Sequence, residues 1–281
     1  MKERNKLTLE QYLKKINNIV NVQTSLMKIS LNISDDCNMK CKICPRGNGY
    51  IHKNNLPMFM SLDTVKLFAS QLGKDCKTIL ILAGMGEPTL HPQLKEIINI
   101  LHTYCPKCKI NMTTNGLNLT DDIININALN VIVISAYSQK LLNEYIQKYE
   151  HIEKIILQPM FEGNYFKEIN NRANNSYYVS EEKIPNNSPC NLPFCNLTLD
   201  LNGDILPCCL DFQRISVMGN IYKQNIYNIW ENNFKNLRFA HIHKNRKENK
   251  LCCQCDVIGM KESNINRFFN FWKNYYEKKE A

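Results

Sequence analysis

Cysteine is the residue type in this chain best able to do chemistry. Cys37, Cys41 and Cys44 share one short stretch, CNMKCKIC, with three residues and then two between them. A closed zinc or iron–sulfur site takes four ligands. The trio therefore needs a fourth ligand from elsewhere, or leaves one metal position open. A second set lies toward the other end: Cys190, Cys208, and the pair Cys252 and Cys255 in LCCQC. The chain has 13 cysteines. Its N-terminus, MKERNKLTLEQYLKK, carries charges with no apolar stretch behind them and does not read as a signal peptide. Thiols at this density, in a chain expected to be cytoplasmic, bind metal more often than they form a disulfide framework.

Other residues could assist them. GMGEP (84–88) combines close-approach glycines with a carboxylate, and TTNG (113–116) and SAYS (135–138) are polar turns. All follow apolar runs. SLMKISLNIS (25–34), TILILAG (78–84), KINMTTNG (109–116), VIVISAYS (131–138) and KIILQPMF (154–161) read as strands. Between them, 61–72, 91–104 and 140–149 read as helices, with Ser61 as an N-cap. Repeated strand-then-helix order predicts a parallel sheet or barrel with right-handed crossovers. It also gathers the unusual loops at the carboxyl ends of the strands, where such barrels place function. After about residue 180 the texture changes. LTLDLNGDILPCC predicts a hairpin turning at Asn202-Gly203, and a helical stretch (225–242) leads to LCCQC. Short helices are expected at 7–20 and in the aromatic tail 263–279, the latter packing on its own domain.

Composition sets bounds. Hydrophobic residues make up 44 %, enough for a core, and no run approaches the ~18 apolar residues of a membrane span. The formal charge of +9 suits an anionic substrate but is equally met by surface lysines. No basic stripe with interleaved aromatics points to nucleic acid.

CNMKCKIC after the first strand resembles the radical S-adenosylmethionine (SAM) superfamily. That resemblance implies a partial (β/α)6 TIM-like barrel within an α/β fold. It also implies that the three thiolates hold a [4Fe–4S] cluster whose remaining iron is chelated by SAM, which explains the missing ligand. By the same resemblance Gly84, Gly86, Glu87 and Pro88 lie beside the methionine amino group, with Glu87 adding negative charge near it. Thr114, Asn115, Gly116 and Ser135 become SAM contacts. Ile43 stands where the family usually has an aromatic residue against adenine.

Cys190, Gly203, Cys208, then GNIYKQNIYNIW and Cys252-x2-Cys255, resemble the SPASM/twitch module, a small hairpin-plus-helix domain. This implies one auxiliary [4Fe–4S] cluster on Cys190, Cys208, Cys252 and Cys255, with Cys195 the nearest competitor for a place. The expected division is an N-terminal extension (1–24), the barrel (25–182), the auxiliary domain (183–260) and a C-terminal helix (261–281).

The layout is similar to the twitch-type dehydrogenases of aminocyclitol biosynthesis. That likeness implies two-electron oxidation of a C–OH group, with the auxiliary cluster taking an electron and Arg172 orienting the hydroxyl. Modification of a precursor peptide is the alternative enzymatic reading, and an iron–sulfur or zinc scaffold the non-enzymatic one. An electron donor such as flavodoxin or ferredoxin is the expected partner.

Overall fold

A computed structural model of the protein describes residues 26–41, 44–47, 49, 56–161, 173, 189–256 and 272–278. The barrel portion runs β1 (Lys28–Leu31), α1 (Leu62–Leu72), β2 (Ile79–Leu82), α2 (Leu94–Tyr104), β3 (Lys109–Thr114), α3 (Asp121–Ile124), β4 (Leu129–Ala136), α4 (Gln139–Tyr149) and β5 (Ile155–Pro159). It continues with α5 (Leu192–Cys195), β6 (Asn196–Leu199), β7 (Asp204–Leu206), β8 (Gly219–Asn220), α6 (Ile226–Asn228) and α7 (Lys235–Ile242). The expected cap at Ser61 is present, and the helix read as 140–149 starts one residue earlier behind a cap at Ser138. Ser61 accepts a hydrogen bond from Thr64 N at 3.1 Å, and Ser138 accepts one from Leu141 N at 3.2 Å. α2 begins later than its periodicity suggests, because His91 and Pro92 belong to the preceding turn, where His91 Nδ1 accepts from Gln93 N at 3.0 Å.

The strands form one eight-stranded sheet in the order β5-β4-β3-β2-β1-β6-β7-β8. β1 to β5 pair in parallel with their sequence neighbours. β6, the first arm of the expected hairpin, pairs in parallel with β1, from Lys28 opposite Asn196 to Leu31 opposite Leu199. Only β7 and β8 are antiparallel. The cysteine-rich segment therefore extends the barrel sheet rather than standing apart from it. The expected boundary at 182/183 and the helix at 7–20 lie outside the described residues.

Alternation along the strands separates two faces. Ile29, Leu31, Leu80, Leu82, Ile110, Met112, Ile132, Ile134, Leu197 and Leu199 share one core with Val65 and Phe68 of α1 and Ile97 and Leu101 of α2. The other face is mixed: Ser30, Asn111, Thr113, Ser135, Gln158 and Thr198 share it with Ile81, Val131, Val133 and Ile156.

The tail packs on its own chain, as expected. Residues 272–278 are helical. The Arg238 guanidinium lies 3.6 Å from the Trp272 ring and 4.1 Å from that of Trp230. It donates to Tyr276 Oη at 2.6 Å and to Pro193 O at 2.9 Å. These aromatic and charge-assisted contacts clamp the tail to the segment just after Cys190.

Candidate active site and iron–sulfur sites

The loops after β1, β2 and β3 interlock. Glu87 N donates to Asp36 O at 2.7 Å, laying the β2 loop on the β1 loop. A Cβ at Gly86 would come within 2.4 Å of Asp36 O and 2.5 Å of Ser34 O. At Gly84, whose φ is +145°, it would lie 1.7 Å from Asn32 Oδ1. Both glycines are thus required by the chain's own close packing. Pro88 opens a buried 3₁₀ turn, Pro88–Leu90.

Glu87 is almost fully buried, at 3 % exposure. Its Oε1 accepts from Thr89 N at 3.0 Å, Thr89 Oγ1 at 2.7 Å and Thr114 Oγ1 at 2.6 Å. Its Oε2 accepts from Asn115 N at 2.8 Å. Three donors thus converge on Oε1 and one on Oε2. The geometry makes Glu87 a tie between the β2 and β3 loops, while Oε2 keeps a second lone-pair direction for a further donor. Asn115 extends the tie. Its Nδ2 donates to Asn38 Oδ1 at 2.7 Å, inside the cysteine loop, and its carbonyl accepts from Tyr145 Oη at 2.8 Å. Gly116, at φ +82°, has no room for a side chain between Ile134 and Tyr145. Ser135 is buried near the carboxyl end of β4.

The first three thiols act on one another electrostatically. Burial, then Cys44 and Cys37, push Cys41 up to about 12, and burial likewise raises Cys37. Cys37 N is held by Asp36 Oδ1 at 2.9 Å, and Cys44 N by Cys41 O at 3.0 Å. Tyr137 hydrogen-bonds the Cys41 thiol, and Met160 packs beside both residues. Desolvation disfavours free thiolates here, and a cationic iron cluster reverses that balance. Ile43 and Arg172 lie outside the described residues.

The second set is more enclosed. Cys190, Cys208, Cys252 and Cys255 line one apolar hollow, together with Ala173, Leu192, Pro193, Pro207, Leu210, Arg246 and Leu251. Burial raises Cys190 to about 11 and Cys252 to about 12, and holds Cys208 well above the ordinary thiol range. Cys190 acts on both Cys208 and Cys252. Four thiols lining one apolar hollow fit a four-thiolate cluster. Cys195 is not in this lining. Its Sγ donates to Asn191 O at 3.4 Å within α5. Cys209 is exposed, and Cys253 Sγ turns to Lys250 O at 3.2 Å. Ala173, next to Arg172, holds φ 55° at the cavity wall.

Sequence reasoning missed the supports. Cys190 N donates to His241 Nδ1 at 3.0 Å. Arg246 Nη2 donates to Cys255 O at 2.7 Å. Asp36, Asn38, Tyr137 and Met160 frame the first site. Tyr137 and Asn38 lie inside loops already singled out. His241 and Arg246 had no local signal, because their importance arises from long-range contacts.

Three thiols on the loop after β1 and four round a cavity on the same sheet define an iron–sulfur enzyme built on a parallel barrel. The comparisons are specific. The Radical SAM superfamily model matches residues 31–154, and the SPASM iron-sulfur cluster-binding domain matches 190–256. The S-adenosyl-L-methionine-dependent 2-deoxy-scyllo-inosamine dehydrogenase of Niallia circulans is 24 % identical over 250 residues, covering 83 % of this chain and 93 % of that one. BtrN in complex with AdoMet and 2-DOIA superposes with a TM-score of 0.70 at 22 % identity, over 84 % of this chain and 96 % of that one. anSMEcpe with bound AdoMet and Kp18Cys peptide gives a TM-score of 0.51 at 14 % identity, over 90 % and 99 %. The chain thus carries a radical SAM domain and, C-terminal to it, a SPASM domain. Its cofactors are accordingly SAM and two [4Fe–4S] clusters. Among the described residues, no helix is long and apolar enough to cross a membrane.

Proposed function

We propose that the protein oxidises one C–OH group of an aminocyclitol- or sugar-like small molecule to a carbonyl. The four-thiol cavity carries this reading. Four thiolates close a cluster, leave no iron for substrate to bind, and suit it to accept an electron. The near end-to-end likeness to an aminocyclitol dehydrogenase supports the substrate class.

When bound, the first cluster and SAM supply the capacity to abstract a hydrogen atom, and the auxiliary cluster supplies an electron acceptor. The chain's residues do the rest. Cys37, Cys41 and Cys44 hold the first cluster; Cys190, Cys208, Cys252 and Cys255 hold the second. The interlocked loops of Gly84, Gly86, Glu87, Pro88, Thr114, Asn115 and Gly116 would form the rim that binds SAM, and Ser135 and Ile43 are the remaining residues assigned to it. Arg172, whose neighbour Ala173 lines the auxiliary cavity, orients the reacting hydroxyl. A guanidinium is too weak a base to deprotonate it. Loss of one hydrogen atom, one proton and one electron balances C–OH to C=O. A flavodoxin- or ferredoxin-type donor delivers the initiating electron. We place the barrel at 25–182 and the auxiliary domain at 183–260, sharing one sheet.

The test is anaerobic incubation of reconstituted, dithionite-reduced protein with SAM and 2-deoxy-scyllo-inosamine or related aminocyclitols. Deoxyadenosine and the matching ketone should form together. Deoxyadenosine without ketone across the series rejects the reading.

A further inference from the structure

A chain of charges, buried at Asp200 and Arg214 and more open at Asp35, Arg46 and Asp36, joins the two thiol-bearing loops. Asp200, fully buried just beyond β6, accepts from Asn32 Nδ2 at 3.2 Å and from Arg214 Nη2 at 3.3 Å, and pairs with Arg214 Nε. Arg214 is itself buried and reaches Asp35, its Nη2 lying 3.9 Å from Oδ1. Asp35 pairs with Arg46 at 3.2 Å, and Arg46 also lies 3.9 Å from Asp36. Asp36 holds the backbone N–H of Cys37.

From Arg214 the path also runs back to the auxiliary site. Arg214 N donates to Asp211 O at 3.2 Å, and Asp211 N to Cys208 O at 3.3 Å. The Asp211 carboxylate accepts from Ile215 N and Ser216 N, both at 2.9 Å, fixing this turn. Arg214 holds φ 57°, a conformation that L-residues keep only where their surroundings hold them. A separate apolar contact runs parallel: Met85 of the β2 loop packs with Leu206, Leu210 and Phe212, which flank Cys208.

We propose that Arg214 is a positioning residue that fixes the Cys208 loop against the Cys37 loop, and so sets how readily an electron passes from a substrate held at the first site to the second. The part concerning substrate turnover rests on the proposed function; the geometric part does not. A guanidinium fork suits the task, since its planar donors meet Asp200 and reach Asp35 at once.

The experiment uses the full chain with both clusters reconstituted. The paired substitution Asp200→Asn with Arg214→Gln removes both buried charges together, which avoids stranding one of them. Arg214→Lys keeps the charge but loses the fork. The first readout is magnetic broadening between the two reduced clusters in electron paramagnetic resonance, which needs no substrate. The second is the ratio of deoxyadenosine to ketone. In the paired variant, iron content and melting should stay near the parent's, the broadening should weaken, and the ratio should rise about tenfold, as a small displacement of a reacting centre would cause. Arg214→Lys should fall between variant and parent. Unchanged broadening in the paired variant overturns the proposal, including when melting falls, because Arg214 would then serve folding alone. If the parent makes no ketone, the proposed function fails, while the broadening still decides the role of Arg214.

Discussion

Replacing Glu87 by glutamine separates two roles for the same carboxylate. The four donors on its oxygens are Thr89 N, Thr89 Oγ1, Thr114 Oγ1 and Asn115 N. Glutamine can keep an oxygen facing the first three. Its amide nitrogen then meets Asn115 N–H, donor against donor, and that buried N–H loses its partner. A hydrogen bond to a charged acceptor contributes about 1.5–3 kcal/mol, and the remaining bonds also lose charge assistance. The expected loss is about 2–4 kcal/mol, or a melting temperature lower by on the order of 5–12 °C for a chain of this size. The assay is anaerobic thermal and denaturant unfolding, alongside SAM binding. A variant as stable as the parent, with only SAM affinity reduced, would show the carboxylate committed to ligand and would refute the tie between the β2 and β3 loops.

Other outcomes follow from the same geometry. Alanine in place of Cys190, Cys208, Cys252 or Cys255 should remove about half of the bound iron, whereas Cys195→Ala should leave it unchanged, measured by iron analysis after reconstitution. Trp272→Ala opens the stack on Arg238 and Trp230 and should cost about 3–5 kcal/mol in denaturant unfolding; a loss below 1 kcal/mol, on the order of a surface change, would mean the tail does not dock. His91 is kept neutral by burial, which outweighs Met60 O and Glu96 and depresses its pKa. Its contribution is full above about pH 6.5 and is lost as pH falls from there toward the folded-state value, because only the unfolded chain takes up the proton. His91→Gln should flatten that acid limb of the stability profile, and an unaltered limb would assign it to other groups.

The sequence made the strands, the Ser61 cap and the thiol spacing legible, because these depend on neighbours a few residues away. Ser61 caps the helix that its position announces, whereas Ser138, read as the end of a strand, caps the next one only in the structure. Cys190 was separable from Cys195 only in three dimensions, where α5 turns Cys195 back onto Asn191. The pairing of β6 with β1 was hidden for a related reason. LTLD alternates like any hairpin arm, and nothing local says that its partner lies some 168 residues upstream, the separation of the Asn32–Asp200 contact. Glu87 was found for its position in a motif, but its function as a tie depends on Thr114 and Asn115, which arrive from the next strand.

The parallel seam between β1 and β6 has a consequence for dissection. A chain severed ahead of β6 would strip β1 of a neighbour and bare a row of unpaired amides and carbonyls, an invitation to aggregate. The barrel and its appendage therefore cannot be traded as freely as their separate names suggest. Changes are borne more easily in the loops that overhang the seam than in the seam itself.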